Sequence, residues 1–91
     1  MAVDVRIPAV LRPNVGGASK LSAPSGALRD VVSELIAQYP GLGEQLLGED
    51  GELHKFVNVY LNDEDVRYLE GLDTPLRDGD VLSILPAVAG G

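Results

Sequence analysis

The sequence predicts an α+β domain in which one amphipathic helix packs on one face of a mixed sheet of four to five strands. Three observations predict it. Residues 2–7 alternate polar and apolar side chains with the period of a half-buried strand, and residues 56–61 are rich in β-branched and aromatic side chains. Residues 27–39 switch to the period of a helix. The whole chain has 91 residues, 45% of them apolar, enough for one small core and not for two.

In chain order, Val3, Val5 and Ile7 alternate with Ala2, Asp4 and Arg6 as a first strand, and Pro8 marks a bend or an edge because it cannot donate to a ladder. Residues 12–17 carry turn chemistry, and Lys20, Leu21, Ser22 and Ala23 return as a second strand, making an N-terminal hairpin. Leu28, Val31, Val32, Leu35, Ile36 and Tyr39 then fall on one helical face, with Arg29, Asp30, Ser33, Glu34 and Gln38 on the other. Ser25 is placed to cap the start, and Pro40-Gly41 stops the end. Residues 41–55 read as an irregular connection in which Leu42, Leu46 and Leu47 tuck one short turn under the core and residues 48–51 form an exposed bend. A strand over 56–61 leads into a polar turn at 62–65, and Val66, Arg67 and Tyr68 pair back as a brief strand. Asp78-Gly79-Asp80 turns the chain into a last strand, Val81 to Leu85.

Composition excludes several functions. Fourteen acidic against seven basic side chains give a net charge of −7, the wrong sign for displacing counterions from nucleic acid or for binding an anionic membrane surface. An acidic domain of this size is suited to meeting a basic patch on another protein, although acidity also simply keeps a domain soluble. No stretch approaches the roughly 20 apolar residues of a membrane span, and Asp4 and Arg6 break any leader-like start, so the expected location is cytoplasmic. Without cysteine there is no disulfide framework, no thiolate metal site and no thiol nucleophile.

Catalytic constellations are equally absent. His54 is the one histidine, has no nominated nucleophile or orienting partner, and reads as a surface residue. Asp63, Glu64 and Asp65 lack the alternating oxygen ligands and distal Glu of a calcium loop and read as a solvated turn. No metal is expected. Gly16-Gly17 fits neither phosphate-binding glycine pattern. The expectation is a protein acted on by enzymes and not an enzyme itself.

The informative feature is the end. Terminal Gly90-Gly91 arises by chance in roughly one chain in two hundred at average glycine usage. A Gly carboxylate has no Cβ beside it, so such an end can thread a narrow channel and present its carboxylate to another enzyme's nucleotide site. The six residues from Pro86 reach about 20 Å when extended. A free carboxylate is a poor acyl group, so a partner must activate it, most plausibly as an acyl-adenylate. The bland alternative is a frayed terminus.

Residues 76–91, Leu-Arg-Asp-Gly-Asp-Val-Leu-Ser-Ile-Leu-Pro-Ala-Val-Ala-Gly-Gly, resemble the ending of the ubiquitin-like sulfur carriers of the ThiS/MoaD family, in which a DGD-like turn leads into the last strand and the chain ends in Gly-Gly. The order of elements is that of the family's β-grasp fold, so the resemblance covers nearly the whole chain. Residues 56–67, the Pro-Ala-Val-Ala-Gly-Gly ending and the opening at residues 7–13 are similar to the family's cysteine-biosynthesis branch. The resemblance implies a β-grasp domain over 1–86 and a flexible Gly-Gly tail over 87–91. It implies that a MoeB/ThiF-type adenylyltransferase uses ATP and Mg to activate the Gly91 carboxylate, Gly90 beside it, and that a sulfur source converts it to a thiocarboxylate. The acceptor it implies is a PLP-dependent cysteine synthase or a thiosugar or thiazole synthase, with a JAMM-type metalloprotease to release product. No cofactor would be bound by the carrier itself.

Strand alternation suggests where partners dock. If Leu82 and Ile84 face the helix, Val81, Ser83 and Leu85 face out; if Val57, Val59 and Leu61 face in, Phe56, Asn58 and Tyr60 face out. Phe56, Tyr60 and Leu85 would then form an outer patch, with Pro86, Val88 and Ala89 of the tail completing the partner contact. Three competing readings carry the same ending: a ubiquitin-like modifier conjugated to lysines through Gly91, a molybdopterin synthase small subunit, and a plain β-grasp binding module. An acidic domain with a free tail is expected to be a monomer that binds transiently.

Overall fold

Alternation at Val3 and Val5, both fully buried, starts a strand β1 over Ala2–Arg6. The computed structural model describes residues 2–55 and 57–86, the side chain of Pro86 excepted. β1 pairs antiparallel with β2, Lys20–Pro24, as the hairpin expectation required. Between them the chain is not a bare turn. Ala9–Val15 wind into a 3-10 helix that drops Leu11 and Val15 into the core and ends at Gly16 in the left-handed region, φ 68°.

The helix α1 runs over Leu28–Gln38, its amphipathic face burying Leu28, Val31, Val32 and Leu35. Each such side chain contributes roughly 1.5–3 kcal/mol relative to exposure. Ile36 and Tyr39 of the same stripe pack half-buried against the core. Ser25 does not cap it. Gly26–Ala27 is an extended strand β3, paired with Pro75–Leu76 (β6), so Ser25 lies too far from the first turn. The Leu28 N–H donates instead to the Thr74 carbonyl at 2.9 Å, a long-range cap. Beyond Tyr39 the chain forms a 3-10 turn, Pro40–Leu42, and a one-turn helix α2, Gly43–Leu46, which bury Leu42 and Leu46 as expected.

Strand β4, Val57–Leu61, turns through Asn62 and Asp63 into β5, Glu64–Asp65. Both turn residues have positive φ, 47° and 80°, the left-handed pair that matches the twist of a two-residue hairpin. The returning strand is therefore two residues earlier than expected. Val66–Tyr68 is a 3-10 turn, because the Asp65 carboxylate accepts the Arg67 N–H at 2.9 Å and Val66 drops into the core. β7, Val81–Pro86, closes the sheet.

The five-stranded sheet has the order β2-β1-β7-β4-β5, with β1 and β7 parallel at its centre and all other neighbours antiparallel. The core joins α1 to the inner face through Val3, Val5, Val57, Val59, Leu82 and Ile84. One helix held across a mixed sheet with parallel central strands is the β-grasp, ubiquitin-like arrangement. Among the described residues no helix is long and apolar enough to cross a membrane.

Candidate functional site

The face of the sheet away from α1 is built by the other half of each alternation. Register sets its neighbours: Ser83 of β7 lies between Arg6 of β1 and Tyr60 of β4, and Leu85 lies opposite Asn58. Cross-strand partners share a face, so Arg6, Ser83 and Tyr60 form one row on the outside. Arg12, on the 3-10 helix that follows β1, closes one side, its Nε donating to the Ile7 carbonyl at 3.2 Å. The result is a shallow concavity of about 480 Å³ bordered by Arg6, Pro8, Arg12, Tyr60, Ser83 and Leu85. Leu85 is 46% exposed, a large apolar side chain left uncovered beside Pro86.

Two of the expected docking residues, Tyr60 and Leu85, are thus brought together on one wall. Pro86 stands in the ladder opposite Val57, the last position of β7. Phe56, Val88, Ala89, Gly90 and Gly91 lie outside the described residues. Arg6, Arg12 and Ser83 are additions to the expected set. Arg6 is legible as an outward residue from its strand's alternation, but only the pairing of β1 with β7 brings it next to Tyr60.

A second arrangement fixes where β4 begins. The Arg67 guanidinium donates to the carbonyls of His54 and Val57 at 2.9 and 2.7 Å and to Asn58 Oδ1 at 3.0 Å. It spans the stretch of β4 that the two-residue β5 leaves open, which blunts an exposed strand edge. Since Val57 and Asn58 pair with Pro86 and Leu85, the clamp holds the root of the last six residues.

The chemistry available is that of binding. Among the described residues no group of three or more His, Asp or Glu side chains could hold a metal. His54 is half-buried, its backbone N–H donating to the Leu46 carbonyl at 2.8 Å. Asp63 and Glu64 are exposed on the hairpin, and Asp65 caps the turn that follows it.

The model of the ThiS family matches residues 5–91. The chain belongs to the ThiS family. A relative of this ThiS-family chain, the sulfur carrier protein CysO of Mycobacterium tuberculosis (strain ATCC 25618 / H37Rv), is 52% identical over 93 aligned positions that span all of both chains. A chain in the crystal structure of the Amycolatopsis orientalis BexX/CysO complex superposes with a TM-score of 0.90 at 43% identity, covering 99% of this chain and 100% of that one. Small archaeal modifier protein 3 of Haloferax volcanii is 48% identical over 62 residues, 68% of this chain and 66% of that one. ThiS-family membership places the chain among small ubiquitin-like carrier proteins on which partner enzymes act, and not among catalysts.

Proposed function

We propose that this chain carries sulfur on its terminal glycine. The observation that carries the reading is the alignment, end to end, with a sulfur carrier at 52% identity, together with a family match that runs through Gly91. In the proposed sequence a MoeB/ThiF-type adenylyltransferase joins the Gly91 carboxylate to the α-phosphate of Mg-ATP, releasing pyrophosphate. Hydrogen sulfide, or a persulfide with a reductant, then attacks the acyl carbon; the C–O bond to AMP breaks and Gly91 is left as a thiocarboxylic acid. Adenylation supplies the leaving group that a carboxylate lacks. The tethered sulfur is then delivered at high effective concentration.

The fold supports this use of the chain. β7 leads to Pro86 beside the exposed Leu85 and the half-buried Tyr60, so an enzyme gripping the outer face is adjacent to the point from which residues 87–91 continue. The absence of cysteine removes the commonest internal nucleophile for an activated acyl group, and only Lys20 and Lys55 carry side-chain amines. The likeness to CysO favours a PLP-dependent cysteine synthase as the acceptor enzyme, with a JAMM-type metalloprotease freeing the product.

The test is intact-protein mass spectrometry after incubation with Mg-ATP, a MoeB/ThiF-type enzyme and sulfide. A gain equal to one oxygen exchanged for one sulfur in the full chain, and none in a Gly91 deletion, is the expected result. No gain with several such enzymes, each active on its own carrier, overturns the reading. The likeness to an archaeal modifier protein favours a second one, in which the same activated Gly91 acylates lysines. High-mass conjugates that vanish on deletion of Gly91 would mark it.

A further inference from the structure

One row of residues crosses all five strands on the outer face. Lys20, Arg6, Ser83, Tyr60 and Asp65 are cross-strand partners in that order, from β2 through β1, β7 and β4 to β5. The row is polarised, with two cations at one end and a carboxylate at the other. Arg12 adds a third cation to the positive end, at the rim of the concavity that Tyr60 and Leu85 also line. So three of the seven basic side chains of a chain with net charge −7 gather in one corner.

These charges have little to do inside the molecule. Among the described residues the salt bridge is Arg29 to Asp73 at 3.4 Å, away from this face. Arg12 uses Nε on the Ile7 carbonyl, and among the described residues no carboxylate pairs with Arg6, Arg12 or Lys20. Asp63 lines the same concavity without pairing to either arginine, Asp4 lies two residues back along β1, and the Asp65 carboxylate is taken by the Arg67 N–H. Like charges kept close together with no internal partner raise the free energy of the isolated domain slightly, and an opposite charge brought to them recovers that and more.

We propose that this corner docks an acidic segment of the activating enzyme, carboxylates against Arg6, Arg12 and Lys20 and an apolar side chain against Tyr60 and Leu85. The proposal rests on the carrier reading above. It inverts the expectation from composition that an acidic domain meets a basic partner: the net charge is negative, but the corner formed by Arg6, Arg12 and Lys20 gathers cations. The remaining acidic surface repels a long polyanion such as nucleic acid, whereas a short acidic protein segment fits within the corner.

The test is steady-state thiocarboxylate formation by the MoeB/ThiF-type enzyme at several salt concentrations. The double variant Arg6→Glu, Arg12→Glu is expected to raise KM about tenfold or more with kcat nearly unchanged, and to flatten the rise of KM with salt. The double variant Arg29→Glu, Arg77→Glu makes the same change in net charge elsewhere and is expected to stay near the wild-type KM. Because Arg12 also holds the Ile7 carbonyl, Arg6→Glu alone is measured beside the double variant and is expected to show the same shift in part. Unchanged KM and salt dependence in the Arg6 variants, or an equal rise in the Arg29 and Arg77 control, overturns the docking assignment. A wild-type chain that gains no sulfur overturns the carrier reading and this one with it, so the two failures are distinct.

Discussion

Asn62 and Asp80 join two turns at the end of the sheet opposite Pro86: the Asn62 carboxamide Nδ2 donates to Asp80 Oδ1 at 3.0 Å, while Oδ1 of the same carboxamide accepts the Val81 N–H at 2.9 Å. The Asn62 backbone N–H also donates to the Val81 carbonyl at 2.9 Å. One side chain therefore ties the β4–β5 hairpin to the start of β7. Asn suits the position because its φ of 47° is left-handed, a region it tolerates better than other residues with a side chain.

Asn62→Ala is accordingly expected to destabilise the domain by about 2–3 kcal/mol, from two lost hydrogen bonds and left-handed strain. Asn62→Gly removes the strain and keeps the hydrogen-bond loss, so its cost should be smaller. Urea unfolding midpoints of the three proteins measure both parts. Equal stability of wild type and Asn62→Ala would show that the tie contributes nothing.

Asp80 gives this tie a pH dependence. Its carboxylate accepts the Arg77 backbone N–H at 2.8 Å and the Asn62 carboxamide, and these bonds hold its pKa below the ordinary 3.8. A group whose pKa is lower in the folded state than in the unfolded one binds fewer protons when folded, so its contribution is complete above the unfolded value and fades as pH falls through the folded one. Asp80→Asn should therefore melt at a lower temperature than wild type near pH 7, with the gap narrowing below about pH 4. Thermal melts at a series of pH values test this; a gap that widened in acid would reverse the assignment.

Thr74 is the buried polar side chain among the described residues, and it links three segments. Its Oγ1 donates to the Gly71 carbonyl at 2.7 Å and accepts the Glu70 N–H at 3.1 Å, while its own carbonyl accepts the first N–H of α1. Thr74→Val keeps the shape and leaves both partners without the hydroxyl. A loss of about 1–3 kcal/mol is expected, with faster amide exchange at Glu70. Unaltered exchange there would mean that water replaces the hydroxyl at no cost.

Thr74 also shows what the sequence did and did not disclose. Elements whose signal is local were legible: the stripe of Leu28, Val31, Val32 and Leu35 announces α1, and the alternation at Val3 and Val5 announces β1. Elements set by distant partners were not. Ser25 has the chemistry of a helix cap, but the cap is the Thr74 carbonyl, some forty-six positions away, because Gly26–Ala27 is drawn into pairing with Pro75–Leu76. Val66-Arg67-Tyr68 has strand composition, yet the Asp65 side chain turns it into a 3-10 helix. For the outer face, alternation alone placed Tyr60 and Leu85, since both are fixed by the inward choice of Val59 and Ile84. Arg6 and Arg12 needed the parallel pairing of β1 with β7, a contact between the two ends of the chain that no local pattern carries.

Leu85 offers the cleanest separation of docking from folding. Its neighbours Leu82 and Ile84 are 1% and 3% exposed, whereas Leu85 is 46% exposed on the outer face. Leu85→Asp should shift stability by no more than about 1 kcal/mol, the range of strand propensity at a half-solvated position. Leu82→Asp should unfold the domain, since it places an unpaired charge in the core. In the thiocarboxylate assay Leu85→Asp is expected to raise KM several-fold, because the apolar wall beside Tyr60 is lost and its new carboxylate competes for Arg6 and Arg12. Normal turnover by a folded Leu85→Asp protein would remove Leu85 from the docking surface.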